Sequence, residues 1–191
     1  MLEESYQPAA VEAARDRFFV ITGCSGGGKS SLLAGLKAVG YPVIEEAGRQ
    51  VVREQALIGG PGLPDDIDHF LDLTISRTIY AMTMALAQNG PMIMDRCIVD
   101  QISDPGQPAW RLEAARRFAV NRTVFVTPPW PEIFATDTER RHGFVAAEAM
   151  YHQQMRTYRD LGYDLVHIPK SPVPDRIAFL LERLPPPGAK P

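Results

Sequence analysis

The sequence predicts an α/β fold, a three-layer sandwich in which a parallel sheet carries helices on both faces. Two observations lead there. Short apolar, β-branched runs at about 18–22, 41–44, 92–95, 123–126 and 164–169 alternate with longer stretches of helical apolar spacing. That alternation reads as βαβ units, because a parallel strand needs a crossover to return to the sheet. The second observation is a loop. Gly23-Cys24-Ser25-Gly26-Gly27-Gly28-Lys29-Ser30 fits G-x-x-x-x-G-K-[ST] with no mismatch. It sits between the first apolar run and a helical run at 31–37. Strand, glycine loop and helix in that order make a phosphate cradle.

Residues 1–17 are polar, with a short Ala/Glu/Arg-rich stretch, and read as a frayed or weakly helical lead-in. The first helix runs from Lys29 to about Val39, where Gly40 stops it. The second strand ends at Glu45 and Glu46, and a helix follows through Val51, Val52 and Gln55. The Gly/Pro-rich run 58–64 is a loop. Asp65 or Asp66 caps the next helix, about 66–88, in which Ile67, Phe70, Leu71, Ile75, Ile79, Met82 and Leu86 recur at helical spacing. Asn89-Gly90-Pro91 closes it ahead of the third strand, 104–108 is another loop, and a helix spans about 109–120. After the fourth strand, Thr127-Pro128-Pro129-Trp130-Pro131 must be irregular, since proline cannot continue a central strand. Helical patterns follow at 132–141 and 145–161, broken near Gly143, and the last helix covers about 174–184. With no internal repeat and no linker, residues 1–184 read as one domain and 185–191 as a flexible tail.

Composition narrows the function classes. The 191 residues carry a net charge of −3, with a pI of about 5.8. That balance argues against a dedicated nucleic-acid binder. No apolar run reaches bilayer length, and the acidic start at Leu2-Glu3-Glu4 lacks the cationic and apolar pattern of a secretory signal. Two cysteines make no disulfide framework. The expectation is a cytoplasmic enzyme without a membrane partner.

The loop predicts nucleotide binding. Backbone N–H groups of Gly23, Cys24, Ser25, Gly26, Gly27, Gly28, Lys29, Ser30 and Ser31 wrap the phosphates. Lys29 reaches the β- and γ-phosphates and the Ser30 hydroxyl ligates Mg²⁺. Ligands of such sheets lie beyond the carboxyl ends of the strands. Residues just after each strand are therefore the candidates. Asp95 closes the third strand. It is a partner for Mg²⁺ or its waters, or the base that orients an acceptor hydroxyl, or else a strand-end carboxylate that caps a neighbouring turn. Arg96 either holds substrate by its planar fork or makes a surface ion pair. Asp100 lies a little further on. Glu46 and Arg49 either read an acceptor molecule or form an ordinary i,i+3 helix pair. Arg140 and Arg141, in the charged run 137–142, either close as a lid on the γ-phosphate or belong to a solvated helix. Trp130 stacks on a ring or anchors its loop. Cys24 and Cys97 are small fillers, or a redox pair if strands one and three are neighbours.

The motifs resemble a known family. Phe18-Phe19-Val20-Ile21-Thr22-Gly23 with the loop, Glu46-Ala47-Gly48-Arg49, Met94-Asp95-Arg96, Val126-Thr127-Pro128-Pro129-Trp130, Asp137-Thr138-Glu139-Arg140-Arg141 and Leu161-Gly162-Tyr163 occur in the order found in small ATPase/kinase domains grouped as AAA-type ATPase domain 28. The layout, over roughly 17–184, is similar to ribosylnicotinamide kinase domains and to nucleoside and nucleotide kinases. The resemblance implies a P-loop NTPase fold with a five-stranded parallel sheet ordered 2-3-1-4-5, a lid segment, and binding of ATP with Mg²⁺. The expected activity is transfer of the γ-phosphoryl group to a small nucleoside- or nucleotide-like acceptor. The alternative is a regulatory ATPase that switches a protein partner.

Overall fold

A computed structural model describes residues 6–60, 66–103, 106–134 and 143–189. A short helix α1, Ala10–Ala13, precedes β1, Phe18–Gly23, all six of whose residues are buried. The phosphate loop leads into α2, Lys29–Ala38. β2, Val43–Ile44, and α3, Ala47–Leu57, follow. Next come α4, Ile67–Ala85, β3, Met92–Asp95, and a four-residue helix α5, Ile98–Gln101. α6, Ala109–Arg117, and β4, Thr123–Thr127, precede α7, Phe144–Asp160. β5, Asp164–His167, and α8, Val173–Leu181, complete the chain.

All five strands are parallel, in the order β2-β3-β1-β4-β5. β1 is central. Ile21 stands opposite Asp95 of β3, and Gly23 opposite Thr127 of β4. This is the 2-3-1-4-5 sheet that the family resemblance implied.

Side chains alternate across the sheet and divide the core in two. Phe18, Val20, Met92, Met94, Val124 and Val126 pack with Ile75 and Met82 of α4 and Met155 and Tyr158 of α7. Phe19, Ile21, Ile93 and Phe125 pack on the other face with Leu32 and Leu36 of α2 and Leu180 of α8. Every central strand is thus apolar on both sides, which is why these runs show no alternation in sequence.

The helix boundaries have local causes. Gly40, at φ 97°, ends α2: its N–H bonds to Lys37 and that of Tyr41 to Leu36. Asp66 caps α4 by accepting from the His69 N–H at 2.9 Å. Pro42 has no N–H and contributes only its carbonyl, which accepts from Ile93 at 2.9 Å, so β2 is shorter than expected.

Two differences from expectation matter. The lead-in is docked rather than frayed: Val11 is fully buried in the α4–α7 core and Arg17 donates to the Gly90 carbonyl at 3.1 Å. α5 is an added element, too short for its apolar pattern to stand out. A 3₁₀ turn occupies Pro131–Ile133, and the helix and lid expected around 135–142 lie outside the described residues. Near the C-terminal end, Pro185 accepts a hydrogen bond from the Tyr41 hydroxyl at 2.9 Å. Among the described residues no helix is long and apolar enough to cross a membrane.

Candidate functional site

The site begins where β1 stops. Gly23, Gly26 and Gly28 have φ values of 120°, 77° and 79°, a region L side chains rarely enter. At Gly23 space also excludes a side chain, since a Cβ would sit 2.2 Å from the Thr127 carbonyl oxygen. The Cys24 N–H donates to that same carbonyl at 2.9 Å, and Gly27 N–H donates to the Cys24 carbonyl at 3.1 Å. The loop is therefore pinned to the end of β4. No side chain caps the N-terminus of α2, so its first-turn N–H groups stay available to an anion. Ser30 and Ser31 are exposed in that first turn.

Lys29 is buried, and its ammonium donates to the Cys24 carbonyl at 3.3 Å. Burial, and then the neighbouring Arg96, bring its pKa down to about 8. Asp95 lies next to β1 on β3, and its Oδ1 is buried without a hydrogen-bond partner. Burial raises its pKa to about 6, against the pull of Lys29. An orphaned buried carboxylate oxygen near a buried ammonium suits a hard cation or a hydroxyl donor.

Arg96 carries the positive φ of 67°, alone among the described non-glycine residues. Such a backbone is strained and persists only where the surroundings hold it. Here two carboxylates do so. Arg96 Nε lies 3.3 Å from Glu46 Oε1, and its Nη1 donates to Asp100 at 3.0 Å. Glu46, at the N-terminal boundary of α3, also accepts from Arg49 Nε at 3.0 Å. Burial would raise the Glu46 carboxyl, but Arg96, Lys29 and Arg49 together hold it below its ordinary value. Ile44, Glu46, Thr78, Met94, Asp95 and Arg96 line a pocket at this end of β2 and β3. Arg49 reaches it through Glu46.

Asp100 proves to be the hub of the region. It accepts from Thr22 Oγ1, Arg96 Nη1, the Cys97 N–H, Gln154 Nε2 and the Tyr158 hydroxyl. The only local sign of it was the spacing Cys97-x-x-Asp100 ahead of a helix, which forms a capping box in α5. Thr22, Gln154 and Tyr158 gave no signal at all, because their meeting depends on the fold.

Arg140 and Arg141 lie outside the described residues. Trp130 packs instead against Arg176 of α8, whose guanidinium carbon is 5.6 Å from the ring centre. Cys24 and Cys97 are both buried and free, and β1 and β3 are neighbours. Burial raises both thiols, Cys97 to about 12, so neither is poised as a thiolate. Cys97 instead meets the Tyr158 hydroxyl at 3.1 Å.

Comparison with solved structures agrees with this architecture. A crystal structure of NadR protein in complex with NAD and AMP-PNP matches with a TM-score of 0.61 at 13% identity, over 96% of this chain and 52% of that one. The chain thus spans about half the length of that relative. Deoxyadenosine kinase from M. mycoides with bound dATP matches at 0.53, with 11% identity over 87% and 98% of the two chains. YorR protein from Bacillus subtilis, in complex with phosphorylated GDP, matches at 0.51, with 12% identity over 86% and 95%. At such identities the likeness is one of fold, that of P-loop nucleotide kinases. No curated protein sequence matches the chain. Residues 18–176, most of the chain, match the model of a family described as an AAA domain, and the chain belongs to that family.

Proposed function

We propose that the protein is a Mg²⁺- and ATP-dependent kinase that phosphorylates a hydroxyl of a small nucleoside- or nucleotide-like acceptor. The observation that carries this reading is the cluster of Glu46, Asp95 and Arg96 at the carboxyl ends of β2 and β3, next to the strand that leads into the phosphate loop. A nucleotide switch needs the loop alone, whereas a kinase needs acceptor-binding groups next to it.

In this reading the amides of residues 23–31 and the Lys29 ammonium hold the ATP phosphates. Ser30 Oγ and Asp95 would hold Mg²⁺, and hard oxygen donors of this kind suit that ion. When bound, the metal would supply charge neutralisation to the phosphates. Glu46, with Arg49 and Arg96, orients the acceptor. In the alternative role open to it, Asp95 faces the acceptor hydroxyl, orients it and takes its proton. The acceptor oxygen then bonds to the γ-phosphorus as the β,γ-bridging bond breaks, and ADP leaves. Arg140 and Arg141 are the proposed lid cations for the transferring group. Two buried free thiols suit a reducing, cytoplasmic setting.

The test is a panel of hydroxylated acceptors assayed for acceptor-dependent ADP release. Release that requires one acceptor, with stoichiometric phosphorylated product, supports the kinase. Steady ATP hydrolysis indifferent to every acceptor supports the regulatory ATPase instead.

A further inference from the structure

Two of the described arginines are only 2% exposed, and they differ in one respect. Arg111 is fully provided for. Its guanidinium donates to Asp72 at 2.8 Å, Asp68 at 2.8 Å, Gln107 at 2.7 Å and the Asp68 carbonyl at 2.9 Å. Arg176 has one hydrogen bond, from Nη2 to the Gly27 carbonyl at 2.8 Å. Its Nε is buried without a partner. Among the described residues no carboxylate pairs with it, and desolvation alone shifts its titration, downward.

A buried guanidinium without an anion is costly, so buried charges in proteins are paired or bind something charged. Nothing else in α8 calls for one. The helix is otherwise apolar on the side that meets α2, where Ile177 and Leu180 pack. The position of the charge is informative. It touches the last two loop glycines: beyond the Gly27 carbonyl, a Cβ on Gly28 would lie 2.8 Å from Arg176 Nη1. The Trp130 ring flanks the guanidinium from the loop after β4, and such a contact favours a cation over an aromatic face. A cation so placed, at the edge of an anion cradle and lacking an anion, is completed by whatever the cradle holds.

We propose that Arg176 is a phosphate-binding residue of the nucleotide site, holding the Gly27 carbonyl with one N–H group and presenting its remaining donors to a phosphate oxygen of the bound nucleotide. The carbonyl bond fixes the Gly27–Gly28 peptide, and the planar fork can serve a second oxygen at the same time. Lys29 reaches the phosphates from inside the loop and Arg176 from α8. The last helix thereby becomes part of the nucleotide site.

This inference rests on the nucleotide-binding reading, and the experiment separates the two. Arg176→Met keeps the stem length and the packing on Trp130 while removing the charge. Melting without ligand, ATP affinity by calorimetry, and stabilisation by inorganic pyrophosphate are compared with the wild type. The expected result is an unliganded melting temperature no lower than wild type, ATP affinity weakened at least tenfold, and loss of the pyrophosphate effect. Arg176→Lys, which keeps the charge but not the fork, should recover part of the affinity. Wild-type affinity in Arg176→Met, or a lowered melting temperature with unchanged affinity, overturns the proposal and leaves Arg176 a structural strut. If Arg176→Met does not fold, Arg176→Lys decides: weaker ATP binding at unchanged melting supports the proposal, and unchanged binding overturns it. A wild-type protein stabilised by pyrophosphate through Arg176 but indifferent to ATP would retain the anion site and discard the kinase.

Discussion

The Tyr158 hydroxyl donates to Asp100 Oδ2 at 2.6 Å, joining α7 to the turn after β3 across 58 residues of chain. Asp100 holds Arg96 in its left-handed backbone and also receives Thr22 from the end of β1. One carboxylate thus couples the strand before the phosphate loop, the arginine of the pocket and the helix that follows residues 135–142.

Removing single members of this network should have graded effects. Tyr158→Phe leaves Asp100 four other donors and is expected to cost about 1–2 kcal/mol. Asp100→Ala strands Arg96 and Thr22 and should cost about 3 kcal/mol or more, with a turnover loss of at least tenfold. Urea denaturation measures the first two quantities. Equal small costs for both variants would show that the hub is dispensable.

Lys29 titrates near 8 in the fold against 10.5 in an unfolded chain. The unfolded state therefore binds more protons between those values. The penalty for burying the charge is full below about pH 8 and is relieved as pH rises toward 10.5. Bound polyphosphate should restore the charged form. ATP binding near pH 8 is expected to take up a fraction of a proton, read by calorimetry in buffers of different ionisation heat. Lys29→Met should abolish that uptake and nucleotide binding without lowering the unliganded melting temperature.

Asp95 has the opposite sign. Its folded pKa of about 6 lies above the ordinary 3.8. Its protonated form favours the fold fully below about pH 4, and that advantage is lost as pH rises through 6. At pH 7 the ionised carboxylate costs on the order of 3 kcal/mol. Asp95→Asn should therefore be the more stable protein at pH 7 and lose that advantage by pH 4. Its turnover should fall a hundredfold or more while ATP affinity changes little. Equal losses in both would make Asp95 a binding residue only.

The charges of the acceptor pocket are already matched. Arg49 and Arg96 share Glu46, and Arg96 also serves Asp100. Asp95 Oδ1 and Arg96 Nε are both buried without a hydrogen-bond partner. Arg96 is ion-paired, however, and among the described residues the carboxylate of Asp95 is not. An uncharged hydroxylated acceptor should outperform its own monophosphate at least tenfold in kcat/KM, and Glu46→Gln should narrow the gap. A preference for the monophosphate would reverse the assignment.

For Arg140 and Arg141, replacement of each by Ala is expected to lower turnover tenfold or more with a stability change under about 0.5 kcal/mol. Hydrogen exchange across 128–143 should slow when an ATP analogue is added. Unchanged exchange together with wild-type rates would make this segment an ordinary charged surface.

Much of the architecture was legible because its causes are local. The strands announced themselves through apolar, β-branched runs, Gly40 and Asp66 through end chemistry, and the phosphate loop through glycines at positions where φ is positive. Asp95 and Arg96 were singled out from their place at the end of β3, and Glu46 from its place after β2, and the fold brings the three together. α5 escaped because four residues show no period. Of the two readings of the lead-in the weakly helical one holds at Ala10–Ala13, its docking through Val11 unsignalled because one buried valine does not make a pattern.

The sequence by itself determined the fold class, the phosphate loop and the strand ends at which the candidate site lies. The tertiary structure alone decided which charges meet. Asp100 collects donors up to 78 residues away, and Arg176 comes to the loop from 149 residues beyond Gly27. Backbone conformation follows from neighbouring side chains, so it is written in short stretches of sequence. The cost or gain of a charge depends on what else is buried beside it, and that is settled only when distant segments pack.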